Sequence, residues 1–255
     1  MSDIDLLNRL ERSYAESVRS KDDLIRSGPF LISLHPVMKL PWLNNAILDD
    51  ESGVVDKESI LAMASEFEKR DRMPRMELFQ ELRPDLVKTL QDEGFEIECV
   101  LPVMVCTRDT FVSRINENVQ VEMMTPDSDP GPFIRLIDIA FEHDDPVSPE
   151  RIEGMRQSLR KGTQWSAMGY LDEQPAAVAS LVVADGVAEL AGVGTHPDHR
   201  RRGAASTVSS KLLEEFFQQA DLAWLSAGDA TAEAVYKKLG FRLAGNQVNI
   251  SKPVH

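Results

Sequence analysis

Apolar positions along the chain fall into stretches of two kinds. Some repeat every three to four residues, as on one face of an α-helix; others alternate or run together, as in strands. Leu7, Leu10, Tyr14 and Val18 carry the helical spacing and predict an amphipathic helix over 3–24, ended near Gly28-Pro29. "FLISLHPV" and "WLNNAIL" predict short strands broken by Pro36 and Pro41, and a helix starts near Asp56 with Ile60, Ala64 and Phe67 on one face. The strand "RMELF" follows, then a helix opened by Pro84 and closed by Gly94, then the strand "FEIECVLPVMV".

From about Ser113 the pattern starts afresh. "NVQVEMM" is strand-like, while "GPFIRLIDIAF" and "SPERIEGMRQSL" have helical spacing. "QWSAMGYL", "AAVASLVVAD" and "AELAGVGT" form three strands punctuated by Asp172-Glu173 and Asp185-Gly186. A helix from Gly203 to Gln219, the strand "LAWLSAG", a helix across "TAEAVYKKLG" and an extended segment from Phe241 complete the chain. Antiparallel strands followed by alternating strands and helices predict an α/β protein with a mixed, mostly antiparallel sheet flanked by helices. Two domains are expected, 1–112 and 113–255. "DLVKTLQDEGFEIE" and "EAVYKKLGFRLAG" echo each other, each a helix ending in Gly-Phe before a strand, which leaves open a duplication.

Composition narrows the class. With 42% hydrophobic and 27% charged residues the chain reads as an ordinary globular protein, and no apolar run approaches the roughly 18 residues of a membrane span. The N-terminus lacks the unbroken apolar stretch of a signal peptide, so a cytoplasmic location is expected. Cys99 and Cys106 fall on one predicted strand at an odd separation, pointing to opposite faces, which argues against a disulfide. A net charge of −14 repels nucleic acid and anionic lipid over the surface as a whole.

Against that field, "GTHPDHRRRGAAS" at Gly194 to Ser206 places three arginines before a predicted helix. A helix N-terminus offers four backbone N–H groups without intrahelical partners and a positive dipole end; Gly203, Ala204 and Ala205 let a ligand approach the backbone, and arginines add bidentate donors. The residues alone are also compatible with a solvated basic patch. Nucleic acid fits poorly, because one short cluster supplies few phosphate contacts. The histidines show no pairing of the kind a zinc site uses, and no metal is expected.

The segment resembles the acetyl-CoA loop of the GCN5-related N-acetyltransferase (GNAT) superfamily. The pattern Arg/Gln-x-x-Gly-x-Gly/Ala stands here as Arg200-Arg201-Arg202-Gly203-Ala204-Ala205, approached by Val193 and Pro197, and "AVYKKLGF" at Ala234 to Phe241 is similar to the helix that closes the same site. The resemblance covers about residues 118–251 and departs from the commoner pattern at Arg201 and Ala205.

What it implies is direct transfer of an acetyl group from acetyl-CoA to an amine, without a metal. The strand Glu189 to Thr195 would pair with the pantetheine arm through Val193 and Thr195, with Gly192 and Gly194 offering little obstruction, and the diphosphate would rest on the N–H groups from Arg201 to Ala205. Tyr236 matches the general acid, though an aromatic ring at that place also packs well on a sheet. Glu189 matches the general base, though a strand glutamate also commonly faces solvent. The Val193 N–H would stabilise the developing oxyanion. Asp229 stands where the family often contacts the cofactor, and equally where a helix N-cap is needed. Arg201 would reach a cofactor phosphate or solvent.

The acceptor surface implied is 133–162, where "EHDDP" (Glu142 to Pro146) offers three carboxylates to a cationic amine. The resemblance implies a small-molecule or protein amine as partner and neither nucleic acid nor membrane; a homodimer is compatible with it. If 1–112 is a degenerate copy, Leu90 stands in the place of Tyr236 and "DDESGVVDKESI" replaces the phosphate loop, so that half would cover the active one. The alternative to an enzyme is a CoA-binding module without turnover.

Overall fold

The computed structural model of the 255-residue chain describes residues 2–49 and 55–253. In chain order its elements are α1 (Asp3–Arg19), β1 (Ile25–Ser27), β2 (Phe30–Ser33), β3 (Asn45–Leu48), α2 (Lys57–Glu68), β4 (Arg75–Phe79), α3 (Pro84–Asp92), β5 (Glu96–Thr107) and β6 (Gln120–Met123). They continue with α4 (Gly131–Ala140), α5 (Pro149–Lys161), β7 (Gln164–Leu171), β8 (Gln174–Ala184), β9 (Val187–Thr195), α6 (Ala204–Phe216), β10 (Leu222–Ser226), α7 (Ala230–Lys238) and β11 (Arg242–Ser251). Strand pairing is mostly antiparallel, with β3/β4 and β9/β10 parallel. Among the described residues no helix is long and apolar enough to cross a membrane.

Local chemistry explains most boundaries. The Ser2 hydroxyl accepts the Asp5 N–H while the Asp5 carboxylate accepts the Ser2 N–H, and Asp56 and Ser59 repeat the device at α2. Ser148 caps α5, which closes on Gly162 in the left-handed region at φ 69°. The expected opening helix ends at Arg19, and β1, a three-residue strand, follows where no strand was expected.

The chain forms two compact units. The first holds the chain through Val103, Ser226–Gly228 and the segment from Leu243 on. Its strands run in the order β1, β2, β3, β4, β11, with α1 packing Ala15 and Val18 on Leu31 and Ile47. The alternate residues Phe30, Ile32 and Ala46 join Met76, Leu78, Val248 and Ile250 in the core under α2 and α3. The register of β4 on β11 sets Leu78 opposite Val248 and Met76 opposite Ile250, so β11 supplies two fully buried side chains to this core.

The second unit holds Met104–Leu225 and Asp229–Arg242. Its strands run β10, β9, β8, β7, β6. Met168 and Val178 pack under α4 and α5 with Phe133, Leu136, Met155 and Leu159. On the opposite face of β7, Gly169 lies where a Cβ would come within 2.5 Å of Val208 on α6.

These units do not follow the expected boundary at 112/113. Met104 to Val112 lies in the second unit, and the C-terminal strand lies in the first. The physical reason is pairing: β4 finds its antiparallel neighbour in β11, from the far end of the chain.

Candidate functional site

The second unit holds β9, the loop after it, α6 and, beyond β10, α7. β9 pairs along its length with β8, from Val187 opposite Ala184 to Thr195 opposite Ala177. Its parallel pairing with β10 is short, covering Val187, Ala188 and Glu189 opposite Leu222, Ala223 and Trp224. Beyond Glu189 the two parallel strands no longer pair, which leaves that edge of β9 to other partners. A bulge falls in this stretch. Ser180 faces Ala191 and Val178 faces Gly194, so Gly192 and Val193 together oppose Ala179. Gly192 has φ 58°, a conformation that costs glycine little and re-aims the peptide leading to Val193.

The two glycines of β9 serve a purpose other than the one expected. A Cβ on Gly194 would come within 2.8 Å of the Ala140 Cβ, and one on Gly192 within 3.0 Å of the Ile137 Cδ1. The missing side chains therefore make room for α4, which seats on this strand, rather than opening a face to a ligand.

After β9, His196 accepts the Asp198 N–H and opens a short 3₁₀ turn over Pro197–His199. Arg200 is extended, Arg201 is left-handed at φ 62° and Gly203 at φ 80°. Gly203 has no side chain to cap α6. Among the described residues the N–H groups from Arg201 to Ser206 meet no acceptor, until Thr207 N–H bonds the Gly203 carbonyl at 3.0 Å. Six consecutive donors leading into a positive dipole end, with left-handed backbone at Arg201 and Gly203, suit an anion. Asn116 braces it from outside, its Nδ2 donating to the Arg202 carbonyl at 2.8 Å and its N–H to the Thr207 hydroxyl at 2.9 Å.

The three arginines differ. Arg200 donates to the Ala140 carbonyl at 3.3 Å, and Arg202 pairs with Asp172 at 3.1 Å while touching His199. Arg201 is exposed and no described residue bonds its guanidinium.

Asp229 is the N-cap of α7, its Oδ1 accepting the Ala232 N–H at 2.7 Å. Two turns on, Tyr236 sets its ring edge-on to Phe241 at 5.9 Å between centroids. Its hydroxyl has no hydrogen-bond partner among the described residues. Burial, with the Asp229 carboxylate adding to it, pushes the phenol up to about 12. Such a phenol is protonated at neutral pH and has a proton to give. Glu189 is half-buried at the last pair that β9 makes with β10.

α4 packs on β9, and α5, after the loop that follows it, packs on β7. Glu142 and Asp144 are exposed, whereas Asp145 is half-buried. The Phe141 and His143 rings stack at 6.3 Å. The residues that shape this loop and the loop after β9, Arg151, Asp138 and Asn116, carried no signal in the sequence: Asn116 and Arg202 are 86 positions apart. Among the described residues no three His, Cys, Asp or Glu side chains gather as metal ligands do.

A parallel strand pair that diverges at a bulge, followed by an uncapped helix and a tyrosine-bearing helix, is the arrangement of the GNAT fold. Residues 167–250 match the family model of FR47-like proteins. The chain is similar over 97% of its length to 95% of a GCN5-related N-acetyltransferase from Kribbella flavida, at 23% identity and a TM-score of 0.76. A GCN5-related N-acetyltransferase from Sphaerobacter thermophilus aligns at 14% identity and a TM-score of 0.64, over 95% of this chain and 91% of that one. A tandem GNAT protein from the clavulanic acid biosynthesis pathway aligns over 100% of this chain and 98% of its own, at 11% identity and a TM-score of 0.61. No curated protein matches the chain.

Proposed function

We propose that this protein is an acetyl-CoA-dependent N-acetyltransferase that acts on a small cationic amine. The observation that carries the reading is the parting of β9 from β10 after Glu189, with six N–H groups that meet no acceptor among the described residues in the loop that leads from β9 into α6. Acetyl-CoA fits these residues: a diphosphate needs convergent donors without a competing side chain, and Gly203, Ala204 and Ala205 provide them. When bound, it supplies a thioester whose acetyl carbon is open to attack by an amine.

The chain's own groups then divide the work. The N–H groups from Arg201 to Ala205 hold the diphosphate, with the Arg201 guanidinium available as a further donor. Val193 and Thr195, on the edge of β9 that β10 leaves, align the pantetheine arm, and the Val193 N–H, turned by the bulge at Gly192, faces the oxygen that gains charge. Glu189 takes the proton that the amine loses as its nitrogen bonds to the acetyl carbon. Tyr236 gives its proton to the sulfur as the carbon–sulfur bond breaks. Asp229 acts on Tyr236 through its charge and on α7 as its cap. The exposed carboxylates Glu142 and Asp144, in a chain of net charge −14, favour a cationic acceptor.

We read the first unit as a companion copy without this machinery. Leu90 and Tyr236 occupy the same place in the same turn. The Leu90 carbonyl accepts the Phe95 N–H and the Tyr236 carbonyl the Phe241 N–H, both at 3.1 Å, after glycines at φ 86° and 93°. Leucine has no proton to give. Of the segment "DDESGVVDKESI", residues 50–54 lie outside the described residues.

The test is release of free thiol from acetyl-CoA with a panel of alkylamines, polyamines, aminoglycosides and peptides. Tyr236→Phe is expected to bind acetyl-CoA as the wild type does and to release thiol roughly 100-fold more slowly. Wild-type protein that binds acetyl-CoA but releases no thiol with any amine would replace the reading with a binding module.

A further inference from the structure

Asp138 lies in the last turn of α4 and is only 6% exposed. Its two carboxylate oxygens accept from Nη1 and Nη2 of Arg151, in the first turn of α5, at 2.9 and 2.7 Å. Nη1 of the same guanidinium reaches the carbonyls of Asp145 at 3.3 Å and Pro146 at 3.2 Å. The Asp138 carbonyl accepts the His143 N–H at 2.8 Å. One residue thus grips the connecting loop at both ends, through its own backbone and through Arg151.

A buried ion pair is a weak source of net stability, because desolvation offsets the attraction. What this pair does is geometric: a planar fork ties two helix ends and two loop carbonyls to one guanidinium. α4 is itself fixed, since Ile137 and Ala140 sit against the glycines of β9. The contacts therefore run unbroken from β9 to the loop that holds out Phe141, Glu142 and Asp144.

We propose that the Asp138–Arg151 clamp positions the loop 141–147 as the rim of the amine site, making Arg151 a positioning residue for the acceptor. This deepens the N-acetyltransferase reading and rests on it. Lysine at 151 keeps the charge and can still reach Asp138, but it has no second nitrogen to replace Nη2 on the other carboxylate oxygen, so the two-point fork that fixes the geometry is lost.

The experiment compares full-length wild type, Arg151→Lys and Asp138→Asn. Backbone hydrogen exchange over 141–147 should quicken about tenfold in both variants, with β9 unchanged as internal control. Calorimetric titration should give an unaltered affinity for CoA. With the best amine of the panel, KM for the amine should rise about tenfold, while KM for acetyl-CoA and kcat change less than about twofold. Unchanged loop exchange overturns the clamp. Exchange quickened equally in loop and β9, or both KM values rising together, reduces the pair to a structural role and overturns the proposal. Wild type that releases no thiol with any amine overturns the transferase reading instead, whatever the exchange shows, and the acceptor role falls with it.

Discussion

Tyr236 shows how one side chain's chemistry depends on surroundings that its neighbours in sequence do not display. Its ring is taken out of water against Phe241 and its hydroxyl faces the charge of Asp229, so the tyrosinate form is disfavoured twice. Burial and the neighbouring carboxylate thus push the folded phenol from its ordinary value near 10 up to about 12. Stability linked to this group is therefore complete below pH ~10 and is lost as pH rises towards ~12, because the unfolded chain releases the proton first. Between pH 10 and 11 the unfolding free energy of the wild type should fall more steeply than that of Tyr236→Phe, by up to about 1.4 kcal/mol per pH unit. Urea titrations at pH 9, 10 and 11 measure it, and parallel slopes would contradict the burial of the phenol.

At the scale of elements, the turn between α7 and β11 fixes where that phenol stands. Gly240 has φ 93°, and a Cβ there would come within 1.9 Å of the Thr110 carbonyl oxygen. Gly186, in the β8–β9 hairpin, has φ 68° and nothing within 4 Å. Both lose the freedom of glycine on substitution, but only one also meets backbone. Gly186→Ala should cost about 1 kcal/mol and Gly240→Ala roughly 3 kcal/mol, read as a melting temperature several degrees lower for the second. Equal shifts would mean that the approach to Thr110 is relieved without cost.

Elements were the most legible level of the chain. Asp56, Ser148 and Asp229 mark helix starts by hydrogen bonds that span three residues, and Pro84 and Gly162 mark ends by their own backbone preferences, so the sequence displays what each end needs side by side. β1 escaped notice for the converse reason: three residues, Ile25 to Ser27, are too short for a period, and they form a strand because β2 lies opposite.

Across the whole molecule the decisive contact is that between β4 and β11. Val248 and Ile250 are fully buried in the core of the first unit, each contributing about 1.5–3 kcal/mol. Ending the chain after Arg242 removes both side chains and the β4 ladder, a loss comparable with the roughly 5–15 kcal/mol that holds a domain folded. Limited proteolysis of such a chain should cut freely within residues 1–103 while the segment 104–225 resists. A fully resistant first unit would show that β11 is dispensable to it.

The sequence by itself determined the periodic elements, their caps, and the run from Val193 through Arg200-x-x-Gly203-x-Ala205 to Tyr236. These depend on neighbours a few residues away and on residue types that suit one backbone geometry. The tertiary structure alone decided which strand completes which unit, that Gly192 and Gly194 make room for α4, that Asp138 and Arg151 hold a loop, and that Asn116 braces Arg202. In each of those the two partners lie apart in the chain, and burial or hydrogen bonding between them acquires an energy only once the fold has closed the distance.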